Sequence, residues 1–352
     1  MSGQPLISVI IPVHDVAEYL DDCLDSVLGQ SLAAVEVIAV ESASRDRSGA
    51  ILDARAQADP RLHAMHIAQH GPGRARNAAL AQAAGEYVWF VDADDIIPPG
   101  SMAAIAETIE NERSDVILID FAFLYPGGQT KASPGRDLLR EAPAGSFSLV
   151  TWPAVIGLTA TVWSKVFRRD FLLGLGISFP DGIHEDVPVS FGALLSAKRI
   201  RALNRVCYHY RQRPGSFMAS ATQQHFDIFG SYRQVFDLAE KLQSNGAGGI
   251  DGAGGSTDEV RITDEVRTAL FERAIGHYAT NLDGDGGGRV PRCDRRRYFT
   301  MMHDDFIAYR PAAYHPPGGF RGLKYRLIER NAYRAYAVLA RVNRARVQVM
   351  RG

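Results

Sequence analysis

Apolar residues along the first hundred positions alternate between two periods. Leu6 to Val13 (LISVIIPV) is a β-branched run with Pro12 near its end, which suits the C-terminal edge of a buried strand. From Asp15 the period changes: Val16, Tyr19, Leu20, Cys23, Leu24, Val27 and Leu28 recur at i, i+3, i+4 until Gly29, predicting a helix. Val35 to Val40 reads as a second strand, running into Glu41-Ser42-Ala43-Ser44, and Asp46 or Ser48 caps a helix to Ala58. Leu62 to Ile67 is a third strand, Gly71-Pro72-Gly73 opens a helix over Arg74 to Ala84, and Tyr87 to Val91 is a fourth strand emptying into Asp92, Ala93, Asp94 and Asp95. Strand and helix alternating over roughly ninety residues predict a doubly wound α/β half whose strand ends gather on one edge, where such sheets bind ligands.

The pattern then loosens. Glu185-Asp186 lead a helix over Val187 to Leu195, and Arg205 to Tyr210 is a strand ending in two arginines and a Pro-Gly turn. Past Ser220 apolar spacing is helical through Leu242; the Gly-rich 244–256 segment interrupts it, helix resumes from Thr263 to Leu282, and Pro311 to Gly319 is an irregular link. These divisions predict an α/β domain over 1–220 (halves 1–95 and 96–220) and a helical region over 221–352. Residues 321–352 carry nine Lys or Arg against Glu329 alone, with Leu323, Leu327, Ile328, Ala335, Val338 and Leu339 at helical spacing. Such a helix suits an anionic membrane surface, an oligomer interface, or packing on its own domain.

Composition excludes more than it proposes. With 22% charged residues and a formal net charge of −1, no global field favours nucleic acid. The three cysteines lack metal-ligand spacing and read as reduced thiols of a cytosolic protein. The N-terminus has no basic leader, and no apolar run approaches the ~20 residues of a membrane span.

Candidate chemistry starts at the fourth strand. On an extended chain Asp92 and Asp94 share a side, so one can touch a ligand while the other holds a divalent cation; the alternative is a turn capping the next helix. Tyr208 to Ser216 (YHYRQRPGS) has an anion-binding inventory on a turn. Gly71 to Arg76 is not a dinucleotide fingerprint, because it lacks the third Gly and follows the third strand.

The order of these segments resembles the family 2 glycosyltransferases of the GT-A fold. The resemblance rests on SVIIPVHDVAEYLDDCLDSVLGQSL (Ser8 to Leu32), VEVIAVESASRDRSGAIL (Val35 to Leu52), GPGRARNAAL (Gly71 to Leu80), GEYVWFVDADD (Gly85 to Asp95), WSKVFRRDFL (Trp163 to Leu172), HEDVPVSFGALL (His184 to Leu195) and YHYRQRPGS. The region past Ser216 is similar to glycosyltransferase modules that precede a polyol-phosphate transferase domain in some actinobacterial proteins. The resemblance implies Asp94 as ligand of manganese or magnesium and Asp92 at the ribose and metal shell; Asp95 reads instead as a cap of the following helix. It implies Pro12, Val13, His14, Arg76 and Ala93 at the donor nucleotide, with Arg76 on the base. Where the family usually has Asp-Asp-Gly-Ser, this chain has Glu41-Ser42-Ala43-Ser44, so Glu41 takes over the uracil contact or the base is held less strictly. Asp186 is implied as catalytic base with Glu185 second. The anion-binding inventory of the turn makes Arg211, Arg213 and Ser216 candidates at the diphosphate, with His209 either helping or simply packed. Trp163 and Lys165 lie in a segment that resembles the family's and are candidates at donor or acceptor, a surface lysine being the alternative for Lys165. The expected protein is a metal-dependent inverting glycosyltransferase acting from a nucleotide-sugar donor, UDP first, on a glycan, polymer or lipid-linked acceptor. It is expected in the cytoplasm, at the inner face of the membrane. A sugar nucleotidyltransferase would need a Gly-rich basic loop after the first strand, and Pro12-Val13-His14-Asp15 has no Gly. A degenerate nucleotide- or polymer-binding scaffold is the remaining alternative.

Overall fold

The computed structural model describes residues 4–213, 221–247, 262–284 and 288–351. Four strands and four helices form the first part: β1 (Ile7–Val13), α1 (Leu20–Leu28), β2 (Val35–Ser42), α2 (Ser48–Ala58), β3 (Leu62–Ile67), α3 (Pro72–Leu80), β4 (Tyr87–Phe90) and α4 (Ser101–Asn111). There follow β5 (Val116–Leu124), β6 (Thr130–Ala132), α5 (Arg136–Arg140), a 3-10 turn Pro153–Gly157, β7 (Lys165–Arg168), α6 (Arg169–Gly174), α7 (Asp186–Ser196) and β8 (Ile200–Arg211). The remainder is helical: α8 (Asp227–Ala247), α9 (Asp264–Asp283), α10 (Arg295–Tyr309), α11 (Gly319–Glu329) and α12 (Tyr333–Arg351).

Among the described residues the strands make one mixed sheet in the order β3-β2-β1-β4-β7-β5-β6, with β8 also paired to β5. The β3-β2-β1-β4 half is parallel, as the alternating pattern predicts, whereas β7 runs antiparallel to both β4 and β5. Continuous apolar runs in β1 and β4 follow from burial on both faces. Ile10, Val88 and Phe90 face a core built with Ala75 and Ala79 of α3, and the alternate residues Ile7, Val9, Ile11, Tyr87 and Trp89 face a second core with Leu20, Cys23, Leu24 and Val27 of α1. Each such side chain contributes about 1.5–3 kcal/mol. The first of these cores runs on without a break through Val187 and Phe191 of α7 to Ile228 and Tyr232 of α8 and Phe271 of α9, so the helical region is packed against the back of the sheet.

Several boundaries differ from the sequence pattern for local reasons. The first helix begins at Leu20, because Asp15 adopts a positive φ of 48° and holds its carboxylate on the Arg45 N–H (2.7 Å). This ties the turns after β1 and β2 together, and it holds the Asp15 carboxyl down at about 2. Asp46 accepts from the Ser48 N–H (2.9 Å) and the Ala17 N–H (2.9 Å). The helix opened by Gly71 ends at Leu80, four residues early. The basic terminus is two helices, separated where Asn331 takes a φ of 49°. Tyr325, Ile328, Tyr336 and Ala340 bury its inner stripe, whereas Leu323 and Val338, placed at helical spacing by the sequence, are exposed. Most of the Gly-rich 244–256 segment lies outside the described residues. Among the described residues no helix is long and apolar enough to cross a membrane.

Candidate active site

The ends of β1, β2 and β4, the start of α7 and the end of β8 meet on one edge of the sheet. Parallel pairing sets Val13 beside Glu41, so the first two turns lie side by side. There the His14 Nδ1 meets the Ser42 carbonyl at 2.7 Å, the Ser42 hydroxyl donates to the Val13 carbonyl (3.3 Å), and His14 packs against the ring of His70. The Glu41 carboxylate turns inward to accept from the Ser44 N–H and meets the His66 Nδ1 at 3.1 Å. Burial opposes ionisation of Glu41, but these hydrogen bonds outweigh it and hold the carboxyl below its usual range. Glu41 is thus committed to its own turn, which weakens the expectation that it replaces an aspartate on the nucleobase.

Arg76, from α3, is the centre of charge. Its Nη2 donates to Asp92 Oδ1 (2.7 Å), and its Nη1 donates to Glu185 Oε1 (2.5 Å) and Asp186 Oδ1 (3.1 Å). The guanidinium lies over the ring of Phe179 and is 3% exposed. Arg76, implied at the base by the resemblance, is engaged here by carboxylates from the end of β4 and the head of α7. Burial would strip the proton from Arg76, but Asp186, Asp92 and Glu185 overcome it and raise the pKa. The carboxylates share one cation among three, and burial with mutual repulsion pushes both Asp92 and Asp186 up to about 6, against the pull of Arg76. The other oxygen of Asp186 accepts from the Val162 N–H (3.1 Å), which fixes its orientation.

Asp94 and Asp95 part company after the turn. Asp94 faces the cleft and takes the Nε of Arg213 at 2.6 Å. Asp95 is fully buried and accepts from the Tyr208 hydroxyl (2.5 Å) and the Arg211 N–H (2.8 Å). It therefore does not cap the following helix, which starts at Ser101; it pins the acidic turn to β8. The Tyr208 hydroxyl also accepts from the Asp92 N–H (3.1 Å), so one side chain spans both carboxylate positions. Arg211 and Arg213 both lie over the ring of Tyr19, and Arg211 pairs with Asp22 at 3.0 Å. His209 is part-buried and pairs with Ile96 through its backbone. Ser216 lies outside the described residues.

Trp163 stacks on Tyr208 (4.5 Å between ring centroids) and on Tyr210 (5.4 Å), behind the acidic turn. Lys165 is not a surface lysine: it is 1% exposed, and its Nζ donates to the carbonyls of Thr159 and Thr161, both at 2.8 Å. Burial pulls its pKa down to about 7, partly opposed by Asp186. The residues that sequence reasoning left without a role are Tyr19, Phe179 and the Tyr208–Asp95 clamp. Tyr208 stood in a motif that was read for its arginines, whereas nothing in the sequence links Phe179 to a guanidinium a hundred residues away.

The carboxylates suit a hard divalent cation. Asp92 and Asp94 offer oxygens from positions i and i+2, and Arg213 already supplies positive charge to Asp94. Among the described residues no three His, Cys, Asp or Glu converge as a ligand set. Two carboxylates suffice for a cation that takes its other ligands from phosphates and water.

Comparison with known proteins bears on the family likeness and the fold. The model of the Glycosyl transferase family 2 matches residues 8–170. The uncharacterised glycosyltransferase EpsJ of Bacillus subtilis is 29% identical over 215 residues, which are 60% of this chain and 62% of EpsJ. The poly(ribitol-phosphate) beta-N-acetylglucosaminyltransferase TarS of Staphylococcus aureus is 30% identical over 234 residues, 65% of this chain but 39% of TarS. The crystal structure of TarS residues 1–349 in complex with UDP-GlcNAc superposes with a TM-score of 0.72 at 22% identity, covering 96% of this chain and 91% of that one. The mannosyltransferase PcManGT of Pyrobaculum calidifontis, in complex with GDP-Man and Mn2+, covers 97% of this chain and is covered to 88%, with a TM-score of 0.50 at 17% identity. Residues 8–170 are thus similar to the Glycosyl transferase family 2, and the chain has the GT-A-like fold of the TarS structure.

Proposed function

We propose that the chain transfers a sugar from a nucleoside diphosphate donor to an acceptor hydroxyl with inversion at the anomeric carbon. The observation that carries this reading is the Arg76 cluster, in which one guanidinium joins a carboxylate of the acidic turn, Asp92, to one at the head of α7, Asp186. Asp186 takes the proton of the acceptor hydroxyl: with a pKa of about 6 it is mostly ionised at neutral pH and a stronger base than an ordinary carboxylate. The acceptor oxygen bonds to the anomeric carbon from the face opposite the phosphate. The bond to the diphosphate oxygen breaks with its electron pair, and the nucleoside diphosphate leaves.

Asp94 and Asp92 would hold manganese or magnesium against the diphosphate, where the cation supplies positive charge to the leaving group. Arg211 and Arg213, standing over Tyr19, add further charge to the same oxygens, with Ser216 as a candidate donor. Pro12, Val13 and His14 line the nucleoside, and Ala93 backs the ribose. Trp163 and Lys165 support these groups from behind, through Tyr208 and the Thr159–Thr161 carbonyls.

UDP is the first-choice nucleotide, supported by the TarS complex with UDP-GlcNAc. The TarS name likewise supports a polymer acceptor such as a polyol phosphate, with a glycan or glycolipid next. The resemblance expected for residues beyond Ser216, to modules that precede a polyol-phosphate transferase, would fit the same acceptor. Such a protein works in the cytoplasm at the inner membrane face, with the basic α11–α12 pair as its contact to lipid or to a second copy. The 1–220 and 221–352 division stands as its catalytic and supporting parts. The test is hydrolysis and transfer assays on UDP-, TDP- and GDP-sugars with manganese or magnesium. Turnover of at least one donor, abolished by chelation and reduced by about 10²-fold to 10⁴-fold in Asp186→Asn, is expected; no turnover with any of them refutes the reading.

A further inference from the structure

A cavity of about 620 Å³ opens between the 3-10 turn Pro153–Gly157 and one face of α9. It lies outside the Arg76 cluster, and Arg273, His277, Thr280 and Arg321 line it together with Glu272. Its charges do not cancel. Glu272 is spent on Arg321 (Oε2 to Nη2, 3.0 Å) and on the Tyr314 hydroxyl (3.2 Å). Among the described residues no carboxylate pairs with Arg273, and its Nε is shut from water without a hydrogen-bond partner. A guanidinium kept in a recess without a counter-charge is costly unless an anion visits it. Neighbouring groups prepare it for one. The Tyr232 hydroxyl lies 3.2 Å from the His277 Nδ1. Burial favours the neutral imidazole of His277, and in the tautomer whose Nδ1 accepts from Tyr232 the Nε2–H is a further donor.

The cavity is also wired to the catalytic carboxylate. His277 packs edge-on against His184 (5.2 Å between centroids), the residue before Glu185-Asp186. His184 holds a positive φ of 65°, which aims the next two carboxylates at Arg76. The turn that walls the cavity continues into Thr159–Val162, whose last N–H holds Asp186. Lys165, tied to that same segment, lies within electrostatic reach of both Asp186 and Arg273. A volume of this size is that of a pocket for a drug-sized molecule, well above what a bare ion needs.

We propose that this cavity is an acceptor subsite that takes an anionic group of the acceptor chain, a phosphate ester, on Arg273 and so presents the neighbouring hydroxyl to Asp186. The assignment rests on the glycosyl-transfer reading for the word acceptor, and its binding test stands apart from that reading. Glycerol 3-phosphate is the probe, titrated into the full chain by calorimetry beside neutral glycerol, glucuronate, inorganic phosphate and UDP.

Glycerol 3-phosphate should bind in a salt-sensitive way. Arg273→Gln should weaken it tenfold or more, and Arg273→Lys should restore part of the loss. Thr280→Glu, which adds a carboxylate at the cavity mouth and leaves Arg273 in place, should weaken it similarly if Arg273→Gln is poorly folded. UDP affinity should be unchanged in all three. Failure of the unmodified chain to bind glycerol 3-phosphate, equal binding of neutral glycerol, or indifference to both Arg273→Gln and Thr280→Glu overturns the site. Equal binding of glucuronate overturns the phosphate assignment, and equal binding of inorganic phosphate overturns the acceptor assignment. If no nucleotide sugar is turned over while these shifts are seen, the transfer reading fails and the anion site survives it.

Discussion

Replacing Asp186 by asparagine should make the ligand-free protein more stable at alkaline pH while stopping its chemistry. Asp186 sits among Glu185, Asp92 and one shared guanidinium, and its side chain is 17% exposed. A carboxyl whose pKa moves from 3.8 in the unfolded chain to about 6 in the fold costs about 3 kcal/mol as the anion at pH 8 and about half of that at pH 5. The sign follows from proton binding: the native state holds this proton more tightly than the unfolded one. The contribution is therefore intact below pH 4 and lost as pH rises through 6. Asparagine is neutral throughout, and its Oδ1 can still accept from the Val162 N–H. Urea unfolding of Asp186→Asn against the parent should show a gain approaching 3 kcal/mol at pH 8 that shrinks at pH 5, with turnover down by about 10²-fold to 10⁴-fold. A variant less stable than the parent at pH 8, or a difference that does not move with pH, refutes the account of the buried charge. Normal turnover moves the role of base to Glu185.

Asp94→Asn should lose manganese-dependent affinity for a nucleoside diphosphate, because an amide brings no charge to the cation; unchanged affinity by calorimetry removes Asp94 from the metal site. Tyr208→Phe deprives the fully buried Asp95 of its hydroxyl donor and should cost about 1–3 kcal/mol in urea unfolding, whereas an unchanged midpoint would mean that the clamp is redundant. With Glu41 held by Ser44 and His66, discrimination for UDP over TDP and GDP should be about tenfold or less. Exclusion of TDP and GDP by orders of magnitude would show that another group reads the base.

Local pattern carried the parallel half because each element there is self-announcing. The runs in β1 and β4 are apolar at every position but Ser8, since two cores cover them, and the turns between are marked by Asp15, Ser42 and Gly71. The antiparallel insertion of β7 between β4 and β5 was not legible. Lys165 to Arg168 is four residues long, and its place depends on partners far apart in the chain. The buried state of Lys165 was hidden for the same reason, as backbone carbonyls from Thr159 and Thr161 leave no trace in composition. Asp95, before a helical stretch, reads as a cap, yet its carboxylate reaches the Arg211 N–H of β8, just as Asp15, where the helical period starts, reaches the Arg45 N–H of a distant turn. The C-terminal period predicted one long helix because Asn331, the residue that bends it, is not a glycine or proline.

The site is set where stability can be spent on it. Arg76, Asp92, Glu185 and Asp186 form a buried group with one positive and three negative charges when ionised, an arrangement that repels itself and disfavours folding near neutral pH. Two continuous hydrophobic cores flank that seam, one on each face of the sheet, and their burial offsets the repulsion without relieving it. Each charged side chain is also held by a rigid element: Arg76 within α3, Asp92 at the end of β4, Asp186 at the first residue of α7 under the Val162 N–H. The carboxylates therefore cannot swing apart to lower their energy, and what lowers it instead is added positive charge or a proton. In the proposed reaction a donor complex would bring the first to Asp92 and an acceptor hydroxyl the second to Asp186, so the repulsion within the cluster would favour the two events that transfer requires.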